Sequence, residues 1–446
     1  MSNLSTLPPE ITQLIVSSVP HTSLHSLSLT SPHFTEPSQR RLFSALKLEA
    51  RLAANQRDGI WASYRDAAAH FSAHPRLATY VRHLKIYLRK PWKPYPWSNV
   101  GEGDLAALES VFDLLERLDV SVQRLKIRVP SRAEDWEDWM LTAVRRMMAH
   151  ALRSPTGRGR HLSMKAIDNI PIDDVYHALW ASHSLALQDL YVSEPGQHPA
   201  LEAPATADAQ LIGGPALRRL KIFGTNYLYG VLLQPSLRRY TNSVTTLIID
   251  GFGPPYGDQV ALGLELAALC SATLEDLTVI FNSWRMNEHN TLPHPLPNLH
   301  NLTLISKHQQ LITIPHWTLP RAFANLLRDP TRTRLPALTH LSLLVGITID
   351  DRLEPPLAPY YTGVLSPYFA ELDEALLPYC TSTAAGAVQF GVQHHLFYEP
   401  ETPDSDERKH DSEAHYAAFS DAVCGPLARA CAVGLRLVRW DDACER

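Results

Sequence analysis

The chain has 446 residues, 45% of them hydrophobic and 20% charged, with a formal net charge of −5. That balance suits an ordinary folded protein and supplies no overall attraction to nucleic acid or to a membrane surface. Cys270, Cys380, Cys424, Cys431 and Cys444 are odd in number and contain no Cys-x-x-Cys pair, which argues against a disulfide framework or a zinc site and for reduced thiols in the cytoplasm or nucleus. The N-terminus is polar and soon meets two prolines, unlike a secretory signal, and no apolar run approaches the roughly 20 residues of a membrane span.

Residues 1–48 read as a helical module. Pro8 and Pro9 suit a first helical turn, Glu10 favours the positive end of the helix dipole, and Ile11, Leu14, Ile15 and Val19 fall on one stripe that Pro20 ends. Thr22 or Ser23 can cap a second helix carrying Leu24, Leu27 and Leu29, which Pro32 breaks. A third helix is expected near Ser38–Leu46, presenting Leu42, Phe43 and Leu46. So small a module cannot bury its apolar surface alone and needs a partner or a following domain. Residues 49–79 are expected to form a link built on a helix from Gly59 to Ala73, with Ile60, Trp61, Tyr64, Ala68 and Phe71 on one face.

From residue 80 to 446 a pattern repeats: apolar-x-x-Leu-x-apolar. It occurs around Leu84, Leu125, Leu190, Leu220, Leu247, Leu277, Leu302 and Leu341, with a degenerate copy near His161–Ile167. The leucines from 190 to 302 step by 30, 27, 30 and 25 residues, close to the period of about 20–29 of leucine-rich repeats. Helices are expected between the strands, at Asp104–Leu118, Ala133–Leu152 and Gln259–Leu269. Late strands are expected at Ala387–Gln393 and Leu435–Trp440, an exposed charged loop at Glu399–Glu413, and a helix at Glu413–Cys424. Strand and helix in alternation stack into an α/β solenoid with a parallel sheet on its concave side.

Leu7-Pro8-Pro9-Glu10-Ile11, then Ile15, Leu24-x-x-Leu27-Ser28-Leu29 and Arg41-Leu42-Phe43 together resemble an F-box of the short form common in fungal proteins. Thr30-Ser31-Pro32-His33-Phe34 departs from it, standing where many F-boxes carry Cys and an aromatic–basic pair. Pro75–Lys85 resembles the junction by which such proteins enter a leucine-rich array. The resemblance implies a Skp-family adaptor bound through Leu7, Pro8, Ile11, Ile15, Leu24, Leu27, Leu42 and Phe43, and through that adaptor a cullin–RING ubiquitin ligase. The chain would then be a non-catalytic receptor that positions a target protein's lysine near a charged ubiquitin-conjugating enzyme.

Within each repeat, strand alternation sends the leucine and its neighbour two along into the core and the intervening residues to the open face. Early in the array these are His83, Lys85, Arg124, Lys126, Arg128, Asp189, Tyr191, Arg219 and Lys221. Later they are Thr246, Asp250, Asp276, Thr278, Asn301, Thr303, His340 and Ser342. The early face is mostly basic and suits an acidic or phosphorylated stretch of a target, with His83, Lys85, Arg124, Lys126, Arg128, Tyr191, Arg219 and Lys221 as its expected contacts. The 21 histidines are scattered, and no His-Glu-x-x-His, Gly-x-Ser-x-Gly or phosphate-cradling glycine loop occurs. The expectation is therefore no cofactor, no metal, no nucleic acid and no membrane. The rival reading is a repeat scaffold whose N-terminal helices cap the array.

Overall fold

The computed structural model describes residues 7–49, 61–87, 102–120, 122–128, 161–170, 182–192, 217–224, 226–251, 259–281, 291–292, 295–310, 319–328, 335–350, 358–383, 387–397 and 405–439, together with positions 146, 175, 178 and 179. The expected helix at 133–152 lies outside them except for Arg146, as do the segments 89–101 and 194–215. The chain forms two units, Met1–Leu217 and Arg218–Arg446, each a parallel sheet with interleaved helices in a solenoid-like α/β arrangement.

The first unit opens with three helices, α1 (Pro9–Ser18), α2 (Leu24–Thr30) and α3 (Pro32–Phe43). Pro9 occupies the first turn of α1, where a missing N–H costs nothing, and Glu10 follows it. Pro32 does separate α2 from the next helix, but it opens α3 rather than lying in a loop, with the Ser31 hydroxyl accepting the His33 N–H as N-cap. The third helix thus starts six residues earlier than expected and stops at Phe43. Leu46, expected at its end, lies instead in a strand with Leu48.

That strand, β1 (Ala45–Glu49), pairs in parallel with β2 (Trp61–Ser63) on one side and β3 (His83–Tyr87) on the other. The sheet therefore begins inside the range expected for the helical module, and Trp61–Ser63 of the expected linking helix are strand. Its helical part is α4 (Tyr64–Ala73), capped by Ser63, and α5 (Pro75–Ala78) leads into β3. Next come α6 (Glu102–Arg117), β4 (Arg124–Arg128), β5 (His161–Ile170) and β6 (Ser184–Val192), giving the order β6-β5-β4-β3-β1-β2. Asp119 closes α6 at φ 47°, in the left-handed region, with the Val120 N–H returned to the Leu115 carbonyl at 3.0 Å, and so turns the chain into β4.

The register exposes the core. Leu46, Leu84, Leu125, Leu162 and Leu185 lie side by side on successive strands, and Leu48, Ile86, Ile127, Met164 and Leu187 form the next row. All ten are buried. Burying each stabilises the unit by roughly 1.5–3 kcal/mol. The degenerate copy near His161 is confirmed as β5. The in-register leucine of β6, however, is Leu185 and not Leu190. The two differ by five residues, and an odd slip exchanges the faces of a strand. The side chains of Asp189 and Tyr191, expected on the open face, lie outside the described residues.

The second unit runs β7 (Arg219–Gly224), α7 (Asn226–Leu232), α8 (Arg238–Thr241), β8 (Thr246–Gly251), α9 (Gln259–Leu269), β9 (Asp276–Phe281) and β10 (Asn301–Gln310). It continues through α10 (Leu319–Leu327), β11 (His340–Asp350), α11 (Ala358–Ser382), β12 (Val388–Phe397), α12 (Ser405–Cys424), α13 (Ala428–Ala432) and β13 (Arg436–Arg439). Its strands pair in chain order, and Leu220, Leu247, Leu277, Leu302 and Leu341 again form one buried row. The helix at Gln259–Leu269 matches its expectation, and Gly263 lets it lie on β8, where a Cβ would collide with the Ile249 side chain. Helix α12 starts at Ser405, so much of the charged segment expected as a loop is helical.

Candidate functional site

Two surfaces of the first unit gather the expected site residues. The first is the helical module. Its core is Val16, Leu24, Phe34 and Leu42, with Leu7, Ile15, Val19, Leu27 and Phe43 half-buried against it. Polar ties fix the helices around that core. The Arg41 guanidinium donates to the Val16 and Val19 carbonyls, the latter at 2.6 Å, and so satisfies the open C-terminal end of α1 from α3. Thr12 Oγ1 and His33 Nε2 meet at 2.7 Å. Glu36 on α3 pairs with Arg40 at 2.8 Å and with Arg76 on α5 at 3.1 Å. Hydrogen bonds from Arg40 first and Arg76 second hold its carboxyl below the usual range.

The eight residues expected to meet an adaptor thus divide. Leu24 and Leu42 are core, and Leu7, Ile15, Leu27 and Phe43 are shared between core and surface. Pro8 and Ile11 are exposed, Ile11 at 42%. The largest apolar exposures are two leucines the expectation left out, Leu14 on α1 at 65% and Leu29 on α2 at 75%. Helical spacing marked Leu14 as a neighbour of Ile11 and Ile15, but spacing gives only a stripe and not which edge of it the other helices cover. Leu29 lines a 940 Å³ cleft between α2, α3 and α4, together with His25, Phe43, His70, His74 and Leu77.

The second surface is the open face of β1, β3, β4 and β5. Lys47, Lys85 and Lys126 stand in one row across three adjacent strands. His83, Arg124 and His161 form the row beside it, and Tyr87, Arg128 and Lys165 the row beyond. The Arg128 guanidinium lies 6.0 Å from the centre of the Tyr87 ring. Burial first, then the positive charges of Arg124, Lys85 and His161, push the His83 imidazole below its ordinary pKa. Five of the residues expected here (His83, Lys85, Arg124, Lys126 and Arg128) are brought together. Lys47, His161 and Lys165 join them unannounced. Leu46-Lys47-Leu48 carries the same alternation as Leu84-Lys85-Ile86, the signal by which β1 was findable.

Arg219 and Lys221 do point from an open face, but on β7 of the second unit, beside Thr246 and Ile248. There the row next to the leucines is closed by its own hydrogen bonds: Thr246 Oγ1 donates to the Asp276 carboxylate at 3.1 Å, and Asn301 Nδ2 donates to the same carboxylate at 2.5 Å. Asp250 is not exposed as expected but 5% accessible. Burial first, and Asp250 second, push the Tyr229 phenol above its usual pKa. Burial also raises the thiols of Cys270, to about 12, and of Cys380 and Cys431, to about 11, so none is poised as a thiolate at neutral pH. Among the described residues, no cluster of three His, Cys, Asp or Glu side chains could hold a metal, and no helix is long and apolar enough to cross a membrane.

No protein-family model matches the chain, and no curated protein matches it.

Proposed function

We propose that the chain is the substrate-recognition subunit of an SCF-type cullin–RING ubiquitin ligase. Its F-box-like helices would bind a Skp-family adaptor, its repeats would bind the target protein, and it would carry out no chemistry itself. One observation carries this reading: Ile11, Leu14 and Leu29 are exposed on the small helices and stand outside their core cluster. Large apolar side chains left in water beside a core mark a surface that a partner covers.

A second reading is favoured by the entry into the sheet. Only Ser44 separates α3 from β1, so the helices also end the array, as a capping module would. For the same reason, deleting residues 1–48 would remove most of β1 and confound adaptor loss with damage to the sheet. The decisive comparison is the intact chain against Leu14→Glu/Leu29→Glu, both surface changes expected to alter stability by less than about 0.5 kcal/mol each. Co-purification of adaptor and cullin with the intact chain, lost in the double variant, supports the receptor. Absence of both from the intact chain favours the scaffold.

A further inference from the structure

The open face of β1, β3, β4 and β5 concentrates positive charge in a chain whose net charge is −5. Lys47, Lys85 and Lys126 occupy matched positions on adjacent strands, which lie about 4.8 Å apart. Like charges set directly opposite one another across a sheet are destabilising. Arg124, Arg128 and Lys165 extend the same sign along the strands. Among the described residues, Glu49 is the one carboxylate in these rows, two places along β1 from Lys47 and 1% exposed. An anionic segment laid across the face would be complementary to this run of like charge.

The layout also selects the kind of anion. A phosphate is held best by donors converging on one point, above all by paired guanidinium forks. Here single ammonium groups are spread over three strands, each a flexible point charge. They match single charges spaced along a chain. We propose that this face is a docking surface for an acidic peptide segment of a partner protein, its Asp and Glu carboxylates set against Lys47, Lys85, Lys126 and Arg124. The inference names the target chemistry of the receptor reading, and it concerns a surface separate from Ile11, Leu14 and Leu29.

The test uses the full chain and a fluorescent twelve-residue peptide of alternating Glu and Ser, followed by anisotropy. The intact protein binds it, and raising the salt from 0.05 to 0.5 M weakens binding about tenfold or more, as screening of exposed charges requires. Lys85→Glu/Lys126→Glu loses at least about tenfold in affinity and gains affinity for the Lys/Ser counterpart of the peptide. Lys85→Gln/Lys126→Gln, which adds no new charge, lies between. The Leu14→Glu/Leu29→Glu variant binds the peptide normally, which separates failure here from failure of the adaptor reading. Equal binding of the peptide by the intact and charge-reversed chains overturns the proposal. So does displacement by equimolar inorganic phosphate, or tighter binding of a twelve-nucleotide oligo-dT, which would make the face a phosphate or nucleic-acid site.

Discussion

The sheets of the two units share one core and differ in what they show to solvent. In both, a row of leucines runs across the strands, from Leu46 to Leu185 in the first and from Leu220 to Leu341 in the second. One place along each strand, the first unit carries Lys47, Lys85, Lys126, Ser163 and Ala186, and the second Lys221, Ile248, Thr278, Thr303 and Ser342, so three adjacent lysines stand in the first and one in the second. The core row fixes how strands stack, so every copy must repeat it. The open row bears no such duty and is where one unit can differ from the next.

The largest effects should therefore be alike in both units. Leu125→Ala and Leu277→Ala each remove a fully packed ladder residue, 5% and 1% exposed. Each should lower stability by about 2–5 kcal/mol, read as a shift in the urea midpoint. A cost for one leucine several-fold below the other would break the comparison at its root. A smaller effect is confined to the second unit. Asp373 on α11 is 4% exposed and accepts the Ala430 N–H of α13 at 2.8 Å. Asp373→Ala leaves that buried donor without its acceptor and should cost about 1–3 kcal/mol. Hydrogen exchange should show the loss concentrated in α13 and β13, with the first unit unmoved.

The core row was also the legible part of the sequence. The spacing of Leu247, Leu277 and Leu302 placed β8, β9 and β10, and the apolar run Gln259–Leu269 placed α9. Two copies went astray for opposite reasons. In β6, Leu185, Leu187 and Leu190 offer two registers to the same pattern, and only pairing with Leu162 and Met164 selects the first. In β1, Leu46-Lys47-Leu48 follows directly on α3, and a short alternating run beside a helix is readable as the helix's last turn. The open face was legible in sign but not in membership: Lys85 and Lys126 stood out, whereas Lys47 waited on a strand the pattern missed and Lys165 on the degenerate copy, whose open-face residues were not assigned. In the helical module the apolar set was visible, but its division between core and surface depends on how three helices meet, which no single helix encodes.

Smaller effects test the open rows. Lys85 stands between Lys47 and Lys126, so Lys85→Glu should raise stability by about 0.2–1 kcal/mol by replacing two like-charge contacts with two attractive ones. Thr303→Glu, at the same place in the second unit between Thr278 and Ser342, meets no cation there and should gain nothing. A gain at Lys85 together with loss of peptide binding would mean that the row is maintained against the stability of the fold. Stabilisation at both positions would reduce the contrast between the units to a general benefit of negative charge.

The smallest effect concerns His83, whose pKa the buried setting and its cationic neighbours hold below the ordinary value. Above pH about 6.5 the imidazole is neutral in both folded and unfolded chains and contributes no pH dependence. As pH falls below that value the unfolded chain takes up the proton first, so folding stability falls with it until the folded-state pKa is passed. His83→Gln should flatten this acid limb, seen as a smaller difference between urea midpoints at pH 7.5 and pH 5.5. Lys85→Glu removes one of the repelling charges and adds an attractive one, so it should move the His83 titration upward by NMR. An acidic peptide bound across Arg124 and Lys85 acts in the same direction, because it supplies the negative charge from outside. A His83 titration that rises with Lys85→Glu but stays still when the Glu/Ser peptide is bound would place the peptide away from these rows.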